Sequence, residues 1–162
     1  MENKQTVTVI GAGLAGSEAA WQIAQAGYSV RLFEMKPQKF SPAHKSAGFA
    51  ELICSNSLKA ARIDSAAGLL KEEMRRMDSL LVACADKTAV PAGGALAVDR
   101  DRFSELVTKA ITEHPNIEVM HGEVTEIPAE GVTVIASGPL TSDTLAEQIT
   151  NLCGGALSFF DA

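Results

Sequence analysis

Apolar and polar positions change rhythm several times along the chain, and the clearest change comes near its start. Thr6-Val7-Thr8-Val9-Ile10 is a β-branched run that reads as a buried strand, broken at Gly11-Ala12-Gly13-Leu14-Ala15-Gly16. A segment of helical character follows and stops at Gly27, and a second strand, Ser29 to Phe33, ends in Glu34. Residues 35–67 sustain no period, whereas Leu70, Met74, Met77, Leu81 and Cys84 fall at helical spacing and predict a core-facing helix over 69–84. Gly93-Gly94 between apolar runs predicts a bend. Phe103, Leu106, Val107, Ala110 and Ile111 then predict an amphipathic helix capped by Asp99 or Asp101 and ended by His114-Pro115-Asn116. Ile117–Met120 and Val124–Ile127 read as short strands, and the stretch from Gly131 to Gly138 as another buried one. Ser142 is placed to cap a last helix with Leu145, Ile149 and Leu152 on one face and Gly154-Gly155 as its stop. The apolar run Ala156–Phe160 reads as a buried strand cut short.

The first thirty residues carry a chemical pattern as well as a structural one. In a strand–turn–helix unit of this kind Gly11 permits the tight turn, Gly13 lets a pyrophosphate approach the backbone, and Gly16 lets the helix pack on the strand. The helix start, from Ala12, Leu14 and Ala15 onward, offers free N–H groups and a positive dipole end to an anion. Glu34 stands about 20 residues beyond the glycines, where a carboxylate meets ribose hydroxyls. The small residues Ala136-Ser137-Gly138 end a later strand and are placed to approach the same ligand, although a plain strand exit fits the spacing equally well. The fold class expected is α/β, a doubly wound, mainly parallel Rossmann-like sheet with an FAD- or NAD(P)-binding glycine loop and a small helical insert over roughly 36–89.

Composition narrows the setting. Hydrophobic residues make up 46% and charged residues 21% of 162, ordinary for a soluble domain. No apolar run reaches the roughly 18 residues of a membrane span, and MENKQ lacks the apolar core of a signal peptide, so a cytoplasmic chain is expected. Cys54, Cys84 and Cys153 match neither a disulfide framework nor a zinc spacing. No metal site is expected, and His114 and His121 read as a helix-end and a turn residue. A net charge of −6 argues against broad attraction to nucleic acid, yet Lys36 to Arg62 holds five basic residues and one acid, a local balance of +4. That run is either a solvated face or a phosphate-contacting loop.

Cys54 is the one side chain suited to covalent chemistry. A lone cysteine is more often a small buried hydrophobe, but Lys45, Lys59 and Arg62 share its loop. Nearby cations raise the thiolate share of a thiol, and the thiolate is the nucleophile.

Five segments in this order, VIGAGLAGSEAAWQIA, FAELICSNSLKA, GLLKEEMRRMDSL, VPAGGALAVDR and IASGPLTSDTLAEQI, closely resemble the N-terminal part of the folate- and FAD-dependent tRNA (uracil-5-)-methyltransferases. Lys45 stands where a second histidine often follows His44 in that family, Ser46-Ala47-Gly48 replaces a more polar stretch, and Lys59 replaces an arginine. The resemblance implies that residues 1–162 are the N-terminal part of an FAD-binding domain, without turnover of its own. It implies transfer of a one-carbon unit from 5,10-methylenetetrahydrofolate, reduced by flavin hydride from NAD(P)H, to C5 of the T-loop uridine in the T-arm of tRNA. It further implies that Gly11 to Gly16 hold the FAD pyrophosphate and Glu34 the ribose, that Val124 sits near the adenine, and that Ala136-Ser137-Gly138 closes over the same cofactor. Cys54 matches a catalytic cysteine, and His44, Lys45, Asn56, Lys59 and Arg62 are candidate substrate contacts. A related flavoprotein that modifies the tRNA wobble uridine and a non-catalytic flavin-binding module remain as alternatives.

Overall fold

The computed structural model describes residues 5–155. In chain order the elements are β1 (Thr6–Ile10), α1 (Leu14–Gln25), β2 (Ser29–Glu34), β3 (Ser57–Ala60), α2 (Ala66–Arg76), α3 (Leu80–Lys87), β4 (Ala89–Val90), β5 (Ala95–Val98), α4 (Arg100–Thr112), β6 (Ile117–His121), β7 (Val132–Ile135) and α5 (Asp143–Cys153), with a single 3₁₀ turn at Gly138–Leu140. The cut strand read at Ala156–Phe160 lies outside the described residues.

β-branched residues build a sheet of order β6-β2-β1-β7 in which every pairing is parallel. The chain moves outward from β1 through β2 to β6 and then returns to the other side of β1 at β7. Such a reversal opens a crevice at the carboxyl ends of the strands, the usual ligand position in a doubly wound fold. α1 packs against the sheet through Gly16, Ser17, Ala20 and Ala24, small residues that bring helix and strands close. α4 adds Phe103, Val107 and Ile111, all fully buried, as their spacing predicts, and Asp99 caps it by accepting from the Arg102 N–H.

The stretch after β2 holds β-structure beside its helices. β3, β5 and β4 form a second, antiparallel sheet around the bend at Gly93-Gly94. The helix expected over 69–84 is two helices, α2 and α3, broken at Met77-Asp78-Ser79. Asp78 turns through a positive φ of 55°, and the Ser79 hydroxyl restarts the helix by accepting from the Val82 N–H. Consequently Leu70 and Met77 of the expected buried face are 56% and 69% exposed, while Cys84 of that face is buried as expected and Leu80 and Val82 join it in the packing. Val124–Ile127 forms no strand. His121, expected in a turn, is the last residue of β6, while His114 does sit just beyond α4. In α5 Leu145 is buried and Leu152 exposed, so only part of the predicted face packs; Ser142 is the N-cap residue without a side-chain cap bond, and Gly154 closes the helix at φ 69°.

Candidate functional site

Ile10 delivers the chain to the carboxyl edge of the parallel sheet, and Gly11 turns it there. Gly11 has φ +98°, and a Cβ on it would lie 2.8 Å from the Ala136 carbonyl oxygen. A Cβ on Gly16 would fall 1.7 Å from the Gly11 carbonyl oxygen, so the turn and α1 touch through bare backbone. Gly13 differs, because nothing lies within 4 Å of the position a Cβ would take. Its open side belongs to the cleft, and there the backbone stays reachable by a ligand.

Glu34 ends β2 beside this turn. Its carboxylate is buried and accepts from the Ala12 N–H (2.9 Å, Oε2) and the Lys36 N–H (3.0 Å, Oε1). These two bonds orient the carboxylate and leave it acceptor sites for hydroxyl donors, since an ionised carboxylate has about four. A cleft open to solvent surrounds it at the carboxyl edge of the parallel sheet. Gly11, Gly13, Glu34, His44, Val124, Ala136 and Ser137 all line it, joined by Lys36, Glu51 and Glu123.

Other predicted residues lie elsewhere. Ala12 is buried beneath the turn, Leu14 and Ala15 are exposed in the first turn of α1, and Gly138 begins the 3₁₀ turn outside the lining. Cys54 is exposed and outside the cleft. The Asn56 side chain donates to the Val98 carbonyl and is committed to holding β5. Lys45 lies against α4 in a separate surface hollow. The basic run is largely neutralised. Lys36 pairs with Glu51, Lys39 with Glu123, and Arg62 with Asp64, which leaves Lys45 and Lys59 exposed and without an ion pair among the described residues.

His44 faces the cleft with Nδ1 2.6 Å from the Ser41 hydroxyl. The same oxygen lies 3.3 and 3.4 Å from the Ala43 and His44 N–H groups, which donate to it. Burial, and then the Lys36 ammonium, push the His44 pKa below its ordinary value, against the opposing pull of Glu51 and Glu34. At the rim the Glu123 carboxyl is lowered first by its bond from Lys39 and then by Ser142.

Lys36, Glu51 and Glu123 are the site residues that sequence reasoning missed. Lys36 belongs to the basic run that the sequence leaves as a solvated face or a phosphate-contacting loop, yet it is 3% exposed. Its position two residues beyond Glu34, and the presence of one acid in an otherwise basic stretch, were the available signals.

The donors and shape fit an adenine dinucleotide: a backbone turn open at Gly13, an oriented carboxylate at Glu34, and a cleft between β1, β2 and β7. Among the described residues no three His, Cys, Asp or Glu side chains gather as a metal site, and no helix is long and apolar enough to cross a membrane.

A family model described as glucose inhibited division protein A matches residues 6–161. The Lactobacillus johnsonii protein named Methylenetetrahydrofolate--tRNA-(uracil-5-)-methyltransferase TrmFO is 62% identical over 159 residues, which are 98% of this chain and 36% of that protein. The protein of the same name from Geobacter sulfurreducens is 63% identical over 156 residues, 96% of this chain and 36% of its own length. This chain thus spans little more than a third of the curated relatives it matches. The structure of Aquifex aeolicus GidA aligns with a TM-score of 0.62 at 19% identity, covering 79% of this chain and 21% of that one, which is a likeness of fold. With a family model reaching across nearly all of the sequence, and the sheet order, glycine turn and Glu34 beneath it, the chain belongs to the glucose inhibited division protein A family.

Proposed function

We propose that this chain is the FAD-binding portion of a methylenetetrahydrofolate- and FAD-dependent tRNA (uracil-5-)-methyltransferase, which makes 5-methyluridine at the T-loop uridine of tRNA. The observation that carries the cofactor assignment is the open side of Gly13 next to the oriented Glu34 carboxylate in one cleft. The reaction class rests on the shared name of the relatives at about 60% identity.

In this proposal the backbone from Gly11 to Gly16 receives the pyrophosphate at the start of α1, where N–H groups and the helix dipole favour an anion. Glu34 accepts from ribose hydroxyls, while Val124, Ala136 and Ser137 wall the cleft against water. Gly138 shapes the exit from β7. The chemistry supplied by bound FAD is hydride transfer to the one-carbon unit, with NAD(P)H as the source. Cys54 acts as nucleophile, because uracil C5 reacts poorly until a group adds at C6 or the methylene donor is itself activated. Lys45 and Lys59 remain for phosphate contact. Of the other candidate substrate residues His44 faces the cleft, whereas Asn56 holds β5 and Arg62 is paired with Asp64, which leaves these two a supporting part in the loop.

One observation favours a second reading. Cys54 lies outside the cleft, as a flavin-binding module with an inert cysteine would have it. Adding FAD to the purified chain, desalting it and recording the visible spectrum tests the cofactor, and a spectrum without flavin bands counts against it. The thiol reactivity of Cys54 tests the chemistry. A fast rate that falls when Lys45 or Lys59 is replaced fits the methyltransferase, and an ordinary rate indifferent to both fits the module.

A further inference from the structure

Lys36 is buried where a basic residue in a loop is normally solvated. Its Nζ donates to the Gly48 carbonyl at 2.6 Å and lies 3.6 Å from Glu51 Oε2, and its side chain is 4% exposed. The other oxygen of Glu51 accepts from the Lys45 N–H (3.0 Å) and the Ser46 N–H (3.2 Å). Oε2 is buried with no hydrogen-bond partner among the described residues, so the Lys36 ammonium is the charge that balances it. Residues 45–51 therefore fold around one ammonium group.

The same segment is joined to the glycine turn. The Ala50 N–H donates to the Ala12 carbonyl at 2.9 Å, with Ala50 fully buried and held at φ 50°. The Ala12 N–H donates to Glu34, as does the Lys36 N–H. A ring of contacts thus runs from Glu34 to Ala12, Ala50, Glu51 and Lys36, and back to Glu34. Three of its members, Glu34, Lys36 and Glu51, line the cleft. On its far side Glu51 stands three residues before the exposed Cys54. Any ligand that restrains Glu34 or the glycine turn also restrains this ring, and the restraint reaches the Cys54 loop through Glu51.

We propose that Lys36 is a positioning residue whose pairing with Glu51 couples occupancy of the dinucleotide cleft to the placement of Cys54. The proposal rests on the assignment of the cleft to an adenine dinucleotide and extends it to a cysteine the cleft does not touch. A coupling free energy acts in both directions, so the state of the loop also changes the affinity of the cleft.

The test uses the full chain carrying Cys153→Ser, which leaves Cys54 as the exposed thiol because Cys84 is buried. Labelling of Cys54 by a disulfide reagent is timed with and without saturating ADP, whose binding is measured separately by calorimetry. ADP is short and Cys54 lies outside the cleft lining, so a change in rate reports the loop and not direct cover. ADP is expected to slow labelling about fivefold or more, the lower end of ordinary coupling between sites. With Lys36→Met, at an ADP concentration that calorimetry shows to saturate that variant, the slowing is expected to vanish. Glu51→Gln gives a second route if Lys36→Met does not fold. Its amide oxygen must stay toward the Lys45 and Ser46 N–H groups, which turns the NH₂ to the ammonium and abolishes the pair with little change of shape. Labelling indifferent to bound ADP, or slowed equally in the variants, overturns the coupling and leaves the cleft assignment intact. A parent chain that binds neither ADP nor FAD overturns both.

Discussion

Gly13 and Gly16 lie three residues apart in the same turn and answer differently to an added methyl group. At Gly16 alanine gains about 1 kcal/mol of helix propensity, but its Cβ meets the Gly11 carbonyl oxygen at 1.7 Å. That oxygen cannot retreat freely, because the N–H of its own peptide, that of Ala12, is bonded to the buried Glu34 carboxylate at 2.9 Å. Gly16→Ala should therefore lose about 2–3 kcal/mol in urea unfolding, the upper range of overpacking; a variant as stable as its parent would refute the close approach. Gly13→Ala should keep its stability, since φ −70° and ψ −167° suit any residue and the space is open. It should weaken FAD or ADP binding by about tenfold or more, as an intruding methyl costs about 1–3 kcal/mol. His44 supplies a pH test. Its folded pKa lies below the ordinary 6.5, so the unfolded chain takes the proton first, and its contribution is complete above about pH 6.5 and is lost as pH falls through the folded midpoint. A His44 proton NMR midpoint below 6.5, with a steeper acid loss of stability than in His44→Gln, is expected. A midpoint at or above 6.5 would show that Glu51 and Glu34 outweigh burial and Lys36. The places of Gly11, Gly16 and Glu34 around the turn could be read in the sequence because each is fixed by neighbours in one strand–turn–helix unit. The burial of Lys36 could not, since Gly48 and Glu51 reach it across a loop without periodicity.

At the scale of elements, the joint between α2 and α3 shows how an apolar stripe can run through a break. Leu70, Met74, Met77, Leu81 and Cys84 keep helical spacing, yet Asp78 reverses the backbone and Ser79 begins a new helix. The Ser79 hydroxyl accepts from Val82 N–H and donates to Glu18 Oε2 of α1, and the same oxygen takes the Leu81 N–H at 3.0 Å. Ser79→Ala loses a cap and also leaves Glu18 short of a donor, so a cost of about 1–2 kcal/mol is expected in chemical denaturation. A cost near zero would mean that Glu18 holds α3 alone. α4 was legible because burial and periodicity agree at Phe103, Val107 and Ile111, and α1 because the glycine turn before it and Gly27 after it bound the helix. The antiparallel pairing of β3 and β4 with β5 was not, since these strands have four residues or fewer and β3 finds its partner far along the chain, Ser57 against Ala97 and Ala60 against Ala95. Val124–Ile127 carries the composition of a strand but no neighbour to pair with, and it serves instead as cleft wall at Val124.

Across the whole molecule, one core joins the two sheets. Val9, Val30 and Leu32 of the parallel sheet share it with Leu96 and Val98 of the antiparallel one, and Phe49, Phe103, Val107 and Ile111 fill the space between. An insert that shares its core with the main sheet has little independent stability, so the two sheets should unfold together. Two internal reporters lie on different parts of that core. Trp21 of α1 packs edge-on to His114 with ring centroids 5.3 Å apart, and Cys84 of α3 is a buried thiol whose pKa burial pushes upward, which keeps it unreactive while folded. In urea, loss of Trp21 fluorescence and exposure of Cys84 to pulse labelling should trace the same transition, the mark of two-state behaviour. ADP at about 100 times its dissociation constant should move both curves together by about 2.7 kcal/mol, because it binds only the folded cleft. Labelling of Cys84 at lower urea than the Trp21 transition would show that the 36–89 segment opens by itself. In that case ADP, held by the parallel sheet, would shift the Trp21 curve more than the Cys84 curve, and the ring through Lys36 and Glu51 would fail to hold the 36–89 segment to the cleft.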